Sequence, residues 1–238
     1  MRDCLFIMDD SGSGLPPLFQ IYNVVLDMLR ARGFIVPGNR RSPEEYVQDF
    51  CAHDEQGHLF VQRELLTLSL IHSWEREKTV RVFFLDPLGI KTGKKQGEQL
   101  LAKLGETRTR AIFIVPFGSA LTSHAVKLID DMNRSNKSVL IECFSEEQVS
   151  VDITLIGKLD RQYRVLSEAE KQQVIAKYSE RIPKIAYDDR IARYYGMQHS
   201  NVLCLERSSE SAGRYNKYSQ CLYVEQLPKD CKVQKKKV

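Results

Sequence analysis

Five consecutive apolar residues, Ala111-Ile112-Phe113-Ile114-Val115, constrain this chain more than any other stretch. A run that short, with no polar alternation, fits a strand covered on both faces, the pattern of a parallel sheet with helices on each side. Thr79-Val80-Arg81-Val82-Phe83-Phe84-Leu85, closed by Asp86-Pro87, and Val139-Leu140-Ile141-Glu142-Cys143-Phe144 read as further strands. A helix is expected at Gly97–Leu104. Another follows the Pro116-Phe117-Gly118-Ser119 loop, where Leu121, Ala125, Leu128, Ile129 and Met132 share one face. This strand–helix–strand alternation predicts an α/β domain reaching to about residue 148.

Upstream, Leu18, Ile21, Tyr22, Val25 and Leu29 recur at helical spacing, and Gly33 follows Arg30 and Arg32 as a stop. Ser42-Pro43-Glu44-Glu45 puts Ser at an N-cap, Pro at the first helical position and Glu where it closes a capping box. Leu59–Leu70 is β-capable, but Glu64 and Leu65-Leu66 leave strand and helix both open. The polar, acidic Ser145-Glu146-Glu147-Gln148 marks a domain boundary. Beyond it, Val151–Leu155 reads as a short strand. Ser167-Glu168-Ala169-Glu170 is a second capping box, opening a helix whose Val174, Ile175 and Tyr178 face inward.

Composition narrows the class. The 238 residues allow one large or two small domains. With 42% hydrophobic and 28% charged residues and a mean hydropathy of −0.35, the chain reads as a soluble globular protein. No run of roughly eighteen apolar residues is present to span a membrane. The N-terminus, with one basic residue and a short apolar patch ended by acids, is a poor secretory signal. Six scattered cysteines without a C-x-x-C pair read as reduced thiols. A net charge of +4 permits nucleic-acid contact without arguing for it.

The densest information lies between Arg181 and Tyr215. Ile182–Ile185 is a Pro-containing extended piece, and Asp188–Tyr195 a short amphipathic helix stopped by Gly196. An apolar strand, Val202–Leu205, precedes a Ser-Glu-Ser-Ala-Gly turn ending in Arg214-Tyr215, with a final strand around Cys221–Val224. As chemistry this is a helix-plus-hairpin module with an Arg/Tyr-rich edge: a surface, not a catalyst. Pro183, Asp189, Ala192-Arg193-Tyr194, Gly196, Arg207, Ser209-Glu210 and Gly213-Arg214-Tyr215 together resemble the signature of the fifth subunit shared by eukaryotic nuclear RNA polymerases. The archaeal counterpart of that subunit resembles this C-terminal module alone.

The resemblance extends upstream through Arg30–Val36, Phe83–Lys91 and Ala125-Val126-Lys127-Leu128. Residues 1–14, ending in Asp-Asp-Ser-Gly-Ser-Gly, read as a flexible lead-in without a counterpart in that family. The resemblance implies 15–148 as an α/β N-terminal jaw domain on a restriction-endonuclease-like scaffold without an active site, and 151–224 as a small α+β C-terminal assembly domain. Residues 225–238, with Lys229, Lys232, Lys235, Lys236 and Lys237, read as a basic tail outside the resemblance. The resemblance also implies a nuclear, non-catalytic subunit of DNA-dependent RNA polymerase without cofactor. The largest subunit would meet the chain at Pro183, Arg193, Tyr194, Arg207, Glu210, Gly213, Arg214 and Tyr215. Other polymerase subunits, transcription regulators and downstream duplex DNA are the remaining partners. Thr122, Ser123 and Lys127, at a helix start, would approach the DNA backbone without reading bases. The sequence departs from the family pattern at Arg190, at Ser123 and at Gln198-His199-Ser200, where Pro, Pro and a basic pair with Gly are usual. Those departures fit a divergent lineage or a paralogue dedicated to one polymerase.

Three chemical motifs fail on their own terms. Gly89-Ile90-Lys91-Thr92-Gly93-Lys94-Lys95 has the wrong glycine spacing for a phosphate loop, and a Lys where Mg²⁺ needs a hydroxyl. It reads as a basic loop. Cys51, His53 and His58 lack the further ligand a structural zinc site needs, and read as a polar helix end. Asp86, Lys91 and Glu142 do not complete a metal-dependent nuclease. That nuclease and a free-standing transcription adaptor are the alternative functions.

Overall fold

The structure, a computed structural model, describes residues 17–38, 40–87, 100, 102, 110–135, 139–151, 161–209 and 213–223. The chain divides into two compact units, Met1–Val151 and Asp152–Val238. Each is a mixed α/β assembly built on its own four-stranded sheet.

The first unit opens with α1 (Pro17–Ala31) and α2 (Pro43–Phe50). Leu18, Ile21, Tyr22, Val25 and Leu29, the helical stripe read from the sequence, are all buried. Arg32 ends the helix, and Gly33 takes φ +85 beyond it. The Gly33 N–H donates to the Arg30 carbonyl at 2.9 Å and the Phe34 N–H to the Leu29 carbonyl at 3.0 Å. Those two bonds make a Schellman stop, and Phe34 and Leu29 are both buried. Ser42 and Glu45 close the expected capping box on α2.

A short hairpin, β1 (Cys51–His53) with β2 (Leu59–Val61), and a 3₁₀ turn (Arg63–Leu66) resolve the ambiguous Leu59–Leu70 stretch. Then comes the main sheet, in the order β3 (Leu68–Ile71), β4 (Thr79–Phe84), β5 (Arg110–Val115), β6 (Ile141–Ser145). β3 is antiparallel to β4, and β4, β5 and β6 run parallel. The register aligns Phe84, Ile114 and Phe144 in one row and Phe83, Phe113 and Cys143 in the next. Because side chains alternate across a strand, the first row meets α1 and the second meets α3 (Ser123–Ser135). Tyr22 of α1 lies 6.0 Å from Phe84, while Phe83 and Phe113 stack and pack with Ile129 of α3. Ala111–Val115 is buried throughout, as a strand covered on both faces must be.

Ser145-Glu146-Glu147-Gln148, read as a polar boundary, is a capped helical turn, α4 (Glu146–Val149), whose Glu146 is buried. The expected helix at 97–104, apart from Leu100 and Ala102, lies outside the described residues, as do the loop 88–95, the strand 152–155, the lead-in and the basic tail.

The second unit contains β7 (Arg161–Val165), α5 (Glu168–Tyr178), β8 (Lys184–Ala186), α6 (Arg190–Tyr194), β9 (Val202–Ser209) and β10 (Gly213–Leu222). The sheet order is β7-β9-β10-β8, antiparallel except for the parallel β10–β8 pair. One face packs Leu203 and Cys221 against Ala192 of α6 and Met197; the other packs Val202 and Cys204 with Val174 of α5. Two expectations change. Gly213-Arg214-Tyr215 and Cys221 belong to one ten-residue strand, since pairing with β9 is continuous. Tyr178, expected inward, is 38% exposed, its ring lying 5.8 Å from that of Tyr218 with one side open to solvent.

Candidate functional site

The Arg/Tyr module is assembled from three elements of the second unit. The Pro183 carbonyl accepts the Gln220 N–H at 2.8 Å, which fixes β8 beside β10 and leaves the Pro183 ring exposed. Asp189 caps α6, its Oδ1 accepting the Ile191 N–H at 2.8 Å. Gly196, at φ +59, ends the turn: its N–H donates to the Arg193 carbonyl and the Met197 N–H to that of Ala192. This is the same Schellman arrangement as at Gly33. It buries Met197 and turns Tyr194 inward, where only 6% of Tyr194 is exposed. Tyr194 is therefore a core residue against Tyr195, while Arg193 beside it is half-buried.

β9 and β10 pair without interruption from Val202↔Gln220 to Ser209↔Gly213. Arg207 sits opposite Tyr215 and Ser208 opposite Arg214. Arg207 and Tyr215 thus share the sheet face of Leu203, Leu205 and Lys217, with Arg207 half-buried and Tyr215 42% exposed. Gly213 takes φ +66, and an added Cβ there would meet nothing within 4 Å. Glycine is needed at that point for backbone conformation alone. Glu210 lies outside the described residues. The structure adds one residue that sequence reasoning missed: β7 sets Arg161 directly opposite Arg207. No local motif signals it, because the pairing joins strands more than forty positions apart.

In the first unit Thr122 caps α3, its Oγ1 accepting the Ala125 N–H at 3.3 Å. Ser123 and Lys127 follow on exposed helix. The loop before α3 is held from below. The Glu146 carboxylate accepts Arg63 Nη1 at 2.6 Å and the Phe117 N–H at 2.9 Å, and Arg63 also donates to the Leu85 carbonyl at 2.9 Å. A buried carboxylate with a cation and a backbone donor is satisfied, and here it joins α4, β4 and the loop after β5.

Glu142 is taken up by Arg32, which holds both its oxygens at 2.5 and 3.1 Å. Burial pulls the nearby Arg110 guanidinium below its ordinary pKa, and the Glu142 charge opposes that shift. Asp86 is exposed at the end of β4, and Lys91 lies outside the described residues. Cys51 is the C-cap of α2, as a helix end requires, and it opens β1, which carries exposed His53; exposed His58 lies in the hairpin loop just before β2. Pairing with β2 draws Cys51–His53 into a strand, and His58 Nδ1 lies 3.4 Å from Asp54. Among the described residues no group of three or more His, Cys, Asp or Glu side chains is arranged to hold a metal.

Fold and surfaces together define a two-unit mixed α/β protein whose second unit carries an arginine–tyrosine hairpin. Residues 157–221 match the family described as RNA polymerase Rpb5, C-terminal domain. "DNA-directed RNA polymerases I, II, and III subunit RPABC1" of Caenorhabditis briggsae is 30% identical over 208 residues, covering 84% of this chain and 93% of that protein. The subunit named rpabc1 of Dictyostelium discoideum is 29% identical over 210 residues, 86% and 97% of the two chains. "DNA-directed RNA polymerase subunit 5-like protein 1" of Arabidopsis thaliana is 29% identical over 218 residues, 89% and 98%. The chain belongs to the Rpb5/RPABC1 family, and the similarity spans both units.

Proposed function

We propose that this chain is a non-catalytic subunit of nuclear DNA-directed RNA polymerase, joined to the other polymerase subunits through its second unit. The observation that carries this is the extent of the similarity: relatives named as shared polymerase subunits match along 84–86% of the chain, so both units are retained. The second unit docks on the largest subunit through Pro183, Arg193, Arg207, Glu210, Gly213, Arg214 and Tyr215, with Tyr194 supporting that surface from the core. Exposed Tyr215 beside Arg207 supports this, since tyrosine and arginine dominate interface hot spots.

The first unit is the jaw on its nuclease-like scaffold. Thr122, Ser123 and Lys127 lie beside downstream DNA, where α3 offers backbone N–H groups and one lysine to phosphates. Regulatory factors meet the remaining surface of that unit. A photo-crosslinking residue placed at 215 or 127 of the assembled polymerase tests both assignments. Position 215 should mark the largest subunit and position 127 downstream DNA. The 127 adduct should fall several-fold when Ser123 becomes Glu. A position-127 probe that marks only protein would contradict the DNA assignment.

A further inference from the structure

We infer that Ser42 is a phosphorylation site for a proline-directed serine/threonine kinase, a modification that changes the charge at the entry to α2. Ser42 is followed by Pro43, and no other Ser or Thr in the chain precedes a proline. Proline has no N–H and a fixed φ. A kinase that must hydrogen-bond the residue after its serine therefore rejects this site, while one with a pocket for the proline ring accepts it.

The fold singles out the same serine. Ser42, Ser145 and Ser167 each open a capped helix, but the segments before them differ. Ser145 is the last residue of β6, in register with Val115. Ser167 follows β7 and Leu166, whose N–H donates to the Val202 carbonyl at 2.9 Å. A kinase that binds its substrate as an extended strand would have to strip those residues from a sheet. Before Ser42, residues 36–38 and 40–41 are in neither helix nor strand, and Pro37, Gly38 and Arg40 are exposed. Side chains hold that segment: Arg30 Nη2 donates to the Gly38 carbonyl at 2.8 Å, and the Arg41 N–H to Asn23 Oδ1 at 3.2 Å. Ser42 itself is already extended, at φ −72 and ψ 160, and its bonds with Glu45 lie at the surface. Downstream the first turn of α2 has to open, and Pro43 has no N–H to lose there.

In the transfer, Ser42 Oγ attacks the γ-phosphorus of a nucleoside triphosphate held by the kinase. Its proton passes to a kinase carboxylate, and the nucleoside diphosphate leaves as its bridging P–O bond breaks. The product carries a charge of about −2 among Glu44 and Glu45 on one side and Arg40 and Arg41 on the other. The carboxylates are repelled, so Glu45 gives up the Ser42 N–H, while a phosphoryl oxygen takes over the Glu45 N–H. Arg41 is the cation most easily drawn in. Its ion pair with Asp49 leaves both side chains 41% exposed, and such pairs contribute little. Arg40 is tied to Asp27 through both Nε and Nη2. The helix therefore stays capped, and what changes is the surface charge that a partner meets.

The test incubates the purified full-length chain, and separately a peptide of residues 36–48, with a cyclin-dependent kinase, Mg²⁺ and ATP. Mass spectrometry then quantifies phosphate at each serine. Ser42 in the folded chain should be modified within about tenfold of the peptide's rate, with Ser145 and Ser167 unmodified. Pro43→Ala leaves the serine and its cap in place and should slow the reaction by about tenfold or more. Circular dichroism of the modified chain should retain its helical signal. The tagged chain recovered from nuclear extract under phosphatase inhibition should also carry phosphate on the peptide containing Ser42. A folded chain that lags the peptide by more would show Ser42 to be closed by its cap and overturn the inference. Equal rates for wild type and Pro43→Ala would do the same, as would a recovered Ser42 peptide that carries no phosphate.

Discussion

Replacing Gly33 by Ala should destabilise the first unit by about 3 kcal/mol, and the structure divides that figure into two parts. The first is conformational: at φ +85 a side chain enters the left-handed region, which costs about 1 kcal/mol. The second is local. A Cβ at Gly33 would stand 2.7 Å from Nε2 of His72, with Cε1 and Cδ2 at 3.3 and 3.4 Å. The ring cannot yield freely. Its Nδ1 accepts the Trp74 and Glu75 N–H groups at 3.3 and 3.2 Å, and its edge meets Phe34 with centroids 5.4 Å apart. Displacing it loses those two hydrogen bonds, at about 1 kcal/mol each.

Gly57 provides the control. It has φ +82 and nothing within 4 Å of an added Cβ, so Gly57→Ala should cost only the conformational part, about 1 kcal/mol. Urea unfolding followed by circular dichroism gives the two losses, and hydrogen exchange at the Phe34 and Ser73 amides localises the first. The Phe34 amide is held by the Leu29 carbonyl in the helix stop, and the Ser73 amide by the Gly33 carbonyl in the strand-like contact between 33–35 and 71–73. Equal losses at Gly33 and Gly57 would refute the steric part. So would a difference that persists unchanged in a His72→Ala background.

Other perturbations follow from the same contacts. Glu146→Gln should destabilise by about 3–5 kcal/mol in urea unfolding, because it strands the mostly buried Arg63, and Arg63→Met combined with Glu146→Leu should recover part of the loss. Ser200 takes φ 72, a left-handed conformation that glycine adopts without strain, and Ser200→Gly should raise stability by about 0.5–1 kcal/mol in the same assay. Burial, helped by nearby Lys78, lowers the pKa of His72 below 6.5, against the opposing pull of Glu75. Because the folded state favours neutral imidazole, that stability is present above 6.5 and lost as pH falls through the folded pKa; a pH series should show the loss, and His72→Asn should flatten it. Glu170 is held down at about 2 by the Ser167 N–H and hydroxyl and by Arg164. Its contribution should be present above 4.5 and fade as pH drops toward 2, with Glu170→Gln removing that acid dependence.

Local rules explain what was legible in the sequence. Gly33, Gly196 and the Ser42 and Ser167 boxes sit within five residues of the groups they satisfy, so spacing alone located those helix ends. The unalternated Ala111–Val115 run placed the central strand for the same reason. What escaped was non-local. Arg32 and Glu142 are 110 positions apart and Arg63 and Glu146 are 83 apart, and neither pair has a spacing to read. Glu146 looked like part of a solvated acidic stretch until its burial against Phe117 showed otherwise. Arg207 was picked from its motif, but the strand β7 that brings Arg161 beside it was not foreseen as its neighbour. Tyr194 belongs to the same motif and is buried, as its aromatic ring beside the Gly196 turn favours.

Affinity capture of the tagged full-length chain from nuclear extract at moderate salt, with mass spectrometry of its partners, tests the polymerase assignment most directly. The largest subunits of the nuclear RNA polymerases should be recovered in stoichiometric amounts: those of all three enzymes for a shared subunit, that of one for a dedicated paralogue. Recovery of the chain with no polymerase subunit would contradict the assignment and leave a free-standing adaptor in its place.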